Sequence, residues 1–221
     1  MTRDPREITT AREATAEFSW DGLWALFDGD PERFNLAHEC LDRHDPAGTA
    51  ARIAHAEGGV EELSFGQLAR LTSQFAHFLE RWGIAEGARV GVLMEPSAAF
   101  YTALFGVIKR GCVGVPLYTL FGRDAVRERL RDCGARLLLV GPDQVGVAEA
   151  VGFAHLVVDD ALLESLAELP GDYPIRTTAR DTAVLQYTSG TTRKLPEAVV
   201  HEHRSVVTLA RAALFALGLR R

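Results

Sequence analysis

The stretch Arg89-Val-Gly-Val-Leu-Met-Glu-Pro-Ser-Ala-Ala-Phe-Tyr-Thr-Ala-Leu-Phe-Gly-Val-Ile-Lys-Arg-Gly-Cys-Val-Gly-Val-Pro-Leu117 decides the fold class. Its first six residues form a short apolar strand. Pro96-Ser97 then opens a helix that runs through Lys109, and Val113 to Leu117 is a second strand. The helix is apolar on all sides (Ala98, Phe100, Tyr101, Leu104, Phe105, Val107, Ile108), which predicts burial on most of its surface. Both strands are apolar on both faces. A strand, a buried helix and a second such strand indicate a parallel sheet with helices on its faces.

The pattern continues outward. Asp124 to Cys133 reads as an amphipathic helix with an arginine-rich outer face. Arg136 to Val140 and His155 to Val158 read as strands separated by a short helix, and Ala161 to Leu169 as a further helix. Tyr173 to Arg180 is a polar connector. Asp181 to Tyr187 is a strand that runs into a small-residue loop, Ala198 to His201 a short strand, and Ser205 to Leu217 a helix that Gly218 stops. Upstream, Leu68, Leu71, Phe75, Phe78, Leu79 and Trp82 share one helical face that ends at Gly83. Ile53 to Glu57 and Val60 to Phe65 flank Gly58-Gly59 as a hairpin with a two-residue turn. Phe34 to His44 reads as a short helix with Leu36, Cys40 and Leu41 inward. Residues 1–33 read as an N-terminal extension whose aromatics, Phe18, Trp20, Trp24 and Phe27, pack onto the main body. The fold class is therefore α/β, a parallel-rich sheet covered by helices.

Composition narrows the function. The 221 residues are 47% apolar and 24% charged, a globular balance rather than a disordered one. The net charge of −6 argues against general nucleic-acid binding. No apolar run is long enough for a membrane span, and no apolar segment follows the charged N-terminus as a secretory signal would require. Cys40, Cys112 and Cys133 are odd in number and scattered, which suits reduced thiols in the cytoplasm and excludes a disulfide framework or paired-cysteine metal site. Charge is uneven. Arg193, Lys194, Arg204, Arg211, Arg220 and Arg221 face only Glu197 and Glu202 in the last 29 residues, a local +4 against −10 for the rest. That segment suits an anionic ligand or a solvated basic helix.

The most unusual stretch is Thr188-Ser-Gly-Thr-Thr-Arg-Lys-Leu-Pro196, at the end of an apolar strand. Thr188, Ser189, Thr191 and Thr192 offer hydroxyl donors. Gly190 permits close backbone approach, and Arg193 and Lys194 supply charge-assisted bonds to a polyphosphate. Ligands of open α/β sheets bind beyond the carboxyl ends of strands, where this loop sits. It is not the Walker pattern, since no second glycine precedes the lysine. From composition alone, a solvated Ser/Thr-rich turn is an equal reading.

The longer string from Tyr187 to Ser205, which includes His201-Glu-His-Arg204, resembles the phosphate-binding signature of the AMP-forming adenylating superfamily, the acyl- and acetyl-CoA synthetases, adenylation domains and luciferases. Leu63-Ser-Phe-Gly-Gln-Leu-Ala69, Arg89 to Met94 and Phe105 to Leu117 resemble other segments of that superfamily in the same order, and the resemblance spans about residues 34–209. Phe34 to Arg43 and Leu120 to Ala125 look most similar to acetyl-CoA and medium-chain acyl-CoA synthetases. The resemblance implies the N-terminal part of the adenylating-enzyme large domain over residues 34–221, without the later subdomains or C-terminal domain. It implies an acid–CoA ligase of two steps: a carboxylate attacks the α-phosphate of ATP, and a thiol, coenzyme A, then displaces AMP. ATP, Mg²⁺, coenzyme A and a short- or medium-chain carboxylic acid are the implied ligands. Thr188, Ser189, Gly190, Thr191 and Thr192 would be the phosphate contacts, with Arg193 and Lys194 as the cations. Arg193 stands where the superfamily has glycine, with one residue inserted, and Glu197 stands where it has lysine. The superfamily's later adenine, ribose, hinge and adenylation-lysine motifs are not found, so no catalytic residue is assigned in this chain and it is expected to be inactive alone. Its cut surfaces predict homo-oligomers. The other reading is a non-catalytic interaction or oligomerisation module with a degenerate nucleotide loop.

Several smaller features have bland readings. His201 and His203 could share one strand face, but no third metal ligand accompanies them and no metal site is assigned. Glu95-Pro96-Ser97 reads better as a helix start capped by Ser97 than as a ligand-facing turn. Trp20, Trp24 and Trp82 read as core anchors. His38, His44, His55, His77 and His155 read as packing or surface residues without a nameable partner. No Gly-x-Ser-x-Gly elbow or Gly-x-Gly-x-x-Gly fingerprint occurs, which disfavours serine hydrolases and dinucleotide dehydrogenases.

Overall fold

Ser64 starts the first long helix. Its hydroxyl accepts from the Gln67 N–H at 3.2 Å while the Gln67 side chain accepts from the Ser64 N–H at 2.8 Å, a reciprocal cap. The computed structural model describes residues 3–55, 58–188 and 197–219. In chain order these hold α1 (Ala11–Glu17), α2 (Trp20–Trp24), β1 (Thr49–Ala54), β2 (Val60–Ser64), α3 (Phe65–Arg81), β3 (Arg89–Leu93), α4 (Ala98–Lys109) and β4 (Val113–Leu117). There follow α5 (Arg123–Asp132), β5 (Leu137–Val140), α6 (Val145–Val151), β6 (His155–Val157), α7 (Asp160–Ser165), β7 (Thr182–Tyr187), β8 (Ala198–Glu202) and α8 (Ser205–Phe215).

Among the described residues the main sheet has six strands in the order β6-β5-β3-β4-β7-β8. The first five are mutually parallel, and β8 returns antiparallel to β7. Side chains alternate between two layers. Val90, Val92, Met94, Leu137 and Leu139 pack on Phe75 and Leu79 of α3 and on Ala103 and Val107 of α4. Leu93, Val115, Leu117, Leu138 and Val140 pack on Val126 and Leu130 of α5 and on Ala148 and Val151 of α6. This is why the strands read as continuous apolar runs: each face has its own helical cover. Gly106 lets α3 and α4 touch, because a Cβ there would lie 2.9 Å from Phe75 Cβ. No helix among the described residues is long and apolar enough to cross a membrane.

The N-terminal aromatics pack at the far end of the chain. Phe18 meets Phe215 edge-on at 5.7 Å, and Leu23 and Phe34 are fully buried with Val207 and Leu214 of α8.

Some expectations are corrected. The hairpin loop is longer than two residues: His55 N–H donates to Gly59 O at 3.2 Å, so Gly59 closes the ladder while Gly58 supplies the positive φ of +99° that the turn needs. His38–Asp42 is a π-helical turn rather than ordinary helix. Two acidic anchors sit on it: buried Glu39 accepts from the backbone N–H groups of Asp28 and Gly29 at 3.1 and 2.8 Å, and Asp42, nearer the surface, holds buried Lys109 at 2.8 Å. Trp20 and Trp82 are about half exposed, at 47% and 50%, and so are not core anchors. Trp20 instead lies near the Arg211 guanidinium, and Trp82 stacks on Phe78. The arginine-rich face of α5 is not wholly outward, since Arg129 is buried.

Candidate active site at the carboxyl edge

The topology creates a switch point. From β3 the chain crosses by α4 to β4 on one side, then by α5 to β5 on the other side of β3. Helices that leave neighbouring strand ends toward opposite faces open a crevice there. Two segments emerge at it. Glu95 and Pro96 are exposed after β3, and Tyr118 and Leu120 are exposed after β4. The Thr119 hydroxyl bonds the Glu95 carboxylate across the gap. Ser97 accepts from the Phe100 N–H at 3.1 Å, so Glu95-Pro96-Ser97 is a helix start as its sequence suggested.

One strand further on, β4 pairs with β7 at Gly114↔Val184. Two residues later β4 carries Pro116, which has no ladder donor. Tyr187 ends β7. It is 2% exposed and its hydroxyl reaches Asp132 Oδ2 at 2.6 Å and Arg129 O at 3.1 Å, both on the last turn of α5. Burial and the Asp132 carboxylate push the phenol pKa well up, so it stays a donor. Thr188 follows, exposed, with its N–H directed to Glu197 O at 3.5 Å. Tyr187 pairs with Ala198, so both strands beneath the loop are held in one ladder. Of the seven loop residues assigned to the nucleotide, Thr188 is thus placed at the carboxyl edge; Ser189, Gly190, Thr191, Thr192, Arg193 and Lys194 lie outside the described residues.

His203 lies past the end of β8 and is fully buried. Its Nδ1 accepts from the Leu36 N–H at 2.9 Å, which puts the ring proton on Nε2. Burial pulls its pKa down to about 4, so the ring is neutral and structural. Among the described residues no group of three or more His, Cys, Asp or Glu side chains could hold a metal ion. The five histidines read as without a nameable partner all have one: His44 stacks on Phe65 at 4.6 Å, His77 Nε2 lies 2.9 Å from Asp172 O, His155 Nδ1 lies 3.0 Å from Phe153 O, His38 approaches Asp28 at 3.4 Å, and His55 approaches Glu61 at 3.7 Å.

A cleft of about 410 Å³ opens at the opposite, amino edge, between Glu86, Arg89, Arg176, Asp181 and Leu185. Arg176 is already paired there with Glu80 at 2.5 Å and Glu86 at 3.6 Å. Strand direction favours the carboxyl edge as the candidate site.

Residues 42–219 match the model of the AMP-binding enzyme family. The chain belongs to that family. Among AMP-binding enzymes it is 31% identical over 157 residues to the long-chain-fatty-acid–CoA ligase FadD13 of Mycobacterium tuberculosis, covering 67% of this chain and 31% of that one. It is 30% identical over 200 residues to a 4-hydroxybenzoate–CoA/benzoate–CoA ligase of Rhodopseudomonas palustris, covering 85% and 37%. The crystal structure of the Brucella canis acyl-CoA synthetase superimposes with a TM-score of 0.84 at 24% identity, covering 95% of this chain and 41% of that one, a likeness of fold. The chain therefore spans about a third of the length of these two curated relatives. As a member of that family it has the expected mostly parallel α/β sheet, and the family resemblance holds.

Sequence reasoning singled out the string after Tyr187 but missed what the Tyr187 side chain bonds to. Asp132 and Arg129 read as two more charges on an outer helical face. The available signal was Asp132 itself, an acid at a helix C-terminus, where the macrodipole disfavours negative charge.

Proposed function

We propose that this chain supplies the phosphate-binding loop of an AMP-forming acid–thiol ligase. The observation that carries the reading is the position of Thr188: exposed, at the carboxyl end of a parallel strand, and first in a string that resembles the family signature. Residues 188–194 would hold the β- and γ-phosphates of ATP, with Mg²⁺ entering on the phosphate oxygens as part of the substrate. A carboxylate oxygen attacks the α-phosphorus, and the bond to the β-phosphate oxygen breaks to release pyrophosphate. The thiol of coenzyme A or of a carrier then attacks the acyl carbonyl and AMP departs. Donors fixed before the reaction stabilise the charge that grows on the leaving pyrophosphate. Two of the named relatives act on acids with coenzyme A, and a Streptomyces coeruleorubidus relative, 38% identical over 163 residues, is a fatty acid–acyl-carrier-protein ligase. These relatives support a carboxylate substrate and a thiol acceptor. The local positive charge around Arg193 and Lys194, set in an acidic chain, supports an anionic ligand. No turnover is proposed for these 221 residues by themselves.

Thermal unfolding with Mg·ATP tests the reading. A ligand at a hundredfold excess over its dissociation constant stabilises the native state by about 2.7 kcal/mol. For a chain of this size that raises Tm by about 5–10 °C. Inorganic Mg·tripolyphosphate should give part of the rise, and Lys194→Ala should reduce both. A chain that Mg·ATP does not stabilise, or whose response is unchanged by Lys194→Ala, refutes the assignment.

A further inference from the structure

Tyr187 is placed to do more than fill space. A phenylalanine would occupy the same pocket among Val115, Leu117, Val126 and Leu130. The hydroxyl adds a polar group to that apolar layer, and its burial is unfavourable unless it is bonded. Its partners are both on the last turn of α5: the Asp132 carboxylate at 2.6 Å and the Arg129 carbonyl at 3.1 Å. Asp132 is the final residue of α5, where a carboxylate opposes the helix dipole and is disfavoured. Helix stability alone would prefer a lysine there. The bond to Tyr187 is what an acid at this position contributes.

The same turn reaches the neighbouring strand end. The buried Arg129 guanidinium lies over the Phe121 ring at 4.0 Å from its centroid and 5.7 Å from that of Tyr187. Phe121 belongs to the segment that leaves β4 at the switch point. Phe121 and Tyr187 are thus fastened to one turn of α5, across two strands whose pairing stops short of the carboxyl edge. Beyond Tyr187 the Thr188 N–H has the long contact to Glu197 O at 3.5 Å, so the direction in which the chain leaves β7 depends on what fixes Tyr187: the ladder pairing with Ala198 on its backbone and the bonds to α5 on its side chain.

We propose that Tyr187, held by Asp132 and Arg129 of α5, is a positioning residue that sets where Thr188 leaves the sheet and thereby sets phosphate affinity. The proposal rests on the reading of Thr188 as the first phosphate contact. Tyr187 touches no substrate; it acts through the backbone it anchors, and α5 couples that anchor to the segment after β4.

The test measures Mg·ATP and Mg·tripolyphosphate binding by calorimetry, and the Thr188 amide exchange rate by NMR, on the full chain. Tyr187→Phe and Asp132→Ala should each raise both dissociation constants roughly tenfold, the scale of one charge-assisted hydrogen bond. The Thr188 amide should exchange faster in both variants. Asp132→Asn, whose side-chain oxygen still accepts from the phenol, should restore most of the affinity. Gly106→Ala overpacks the α3–α4 contact on the opposite face of the sheet and should lower Tm while leaving both dissociation constants unchanged. Wild-type affinity in Tyr187→Phe, or an Asp132→Asn protein as weak as Asp132→Ala, overturns the proposal. If the wild-type chain binds neither phosphate ligand, the phosphate-loop reading is what has failed. Exchange at Thr188 then decides the anchor by itself: faster exchange in Tyr187→Phe supports it, and an unchanged rate overturns it.

Discussion

Lys109 is buried, with its side chain 4% exposed, and each of its three ammonium protons has an acceptor: Asp42 Oδ1 at 2.8 Å, Ser73 Oγ at 3.0 Å and Ala69 O at 3.1 Å. Desolvation draws its pKa below the ordinary lysine value, and the Asp42 carboxylate pushes back. Asp42→Ala removes the countercharge and one acceptor and leaves an ammonium among neutral oxygens. Removing one partner of a buried pair costs about 3–5 kcal/mol. Asp42 keeps 24% of its own side-chain surface, through which water partly replaces it, so the lower end applies, about 3 kcal/mol. For a chain of this length Tm should fall by about 6–12 °C. The loss has a pH signature. With its folded pKa below the unfolded one, Lys109 binds fewer protons in the native state than in the unfolded chain on the alkaline side, so stability gained from its deprotonation rises with pH. Without Asp42 the folded value drops further, and the destabilisation should shrink between pH 7 and about pH 9. Lys109→Met in the Asp42→Ala background should recover stability, because no charge is then buried. Urea unfolding at the two pH values, on the two single variants and the double, gives the full cycle. An Asp42→Ala protein within about 0.5 kcal/mol of wild type, or a pH-independent loss, would refute a charged Lys109 held by Asp42.

Two further predictions concern the core. Gly106→Ala places a methyl 2.9 Å from Phe75 Cβ and 3.1 Å from Thr72 O, neither of which is the end of a flexible chain, and should cost about 1–3 kcal/mol in urea unfolding; an unchanged midpoint would show that α3 and α4 are not in close contact. His203 has a folded pKa near 4 against about 6.5 unfolded, so the unfolded chain takes up more protons between those values and stability falls as pH drops through that window, by about 3 kcal/mol from this residue. His203→Gln, which can still accept from the Leu36 N–H but does not titrate, should flatten that slope; an acid limb as steep as the wild type's would exclude His203 as its source.

The parallel sheet was legible because β3, β4 and β5 are apolar on both faces, a pattern that few other strand environments produce. The caps at Ser64 and Ser97 follow from local chemistry and were equally readable. What the sequence hid depends on contacts between distant residues. Nothing near Asp42 announces Lys109, 67 positions away, so the π-helical turn that presents Asp42 could not be told from a plain helix. Arg129 follows the spacing of a solvent face, yet it is buried between the Phe121 and Tyr187 rings and donates to Ala125 O. Trp82 keeps helical phase with the core residues of α3, yet it lies at the helix end, beyond the sheet that covers Phe75 and Leu79. At the candidate site the string after Tyr187 stood out in the sequence, whereas the bond from Tyr187 to Asp132 on α5 required the fold.

The antiparallel return of β8 on β7 has a consequence for what can be changed between them. Tyr187 faces Ala198 across the ladder, so the two strands hold each other by backbone hydrogen bonds whatever chain connects them. For a connection of about ten residues closed by such a pair, one added residue raises the closure cost by only about 0.1 kcal/mol. Chain length between these two positions can therefore change at little cost to the ladder itself.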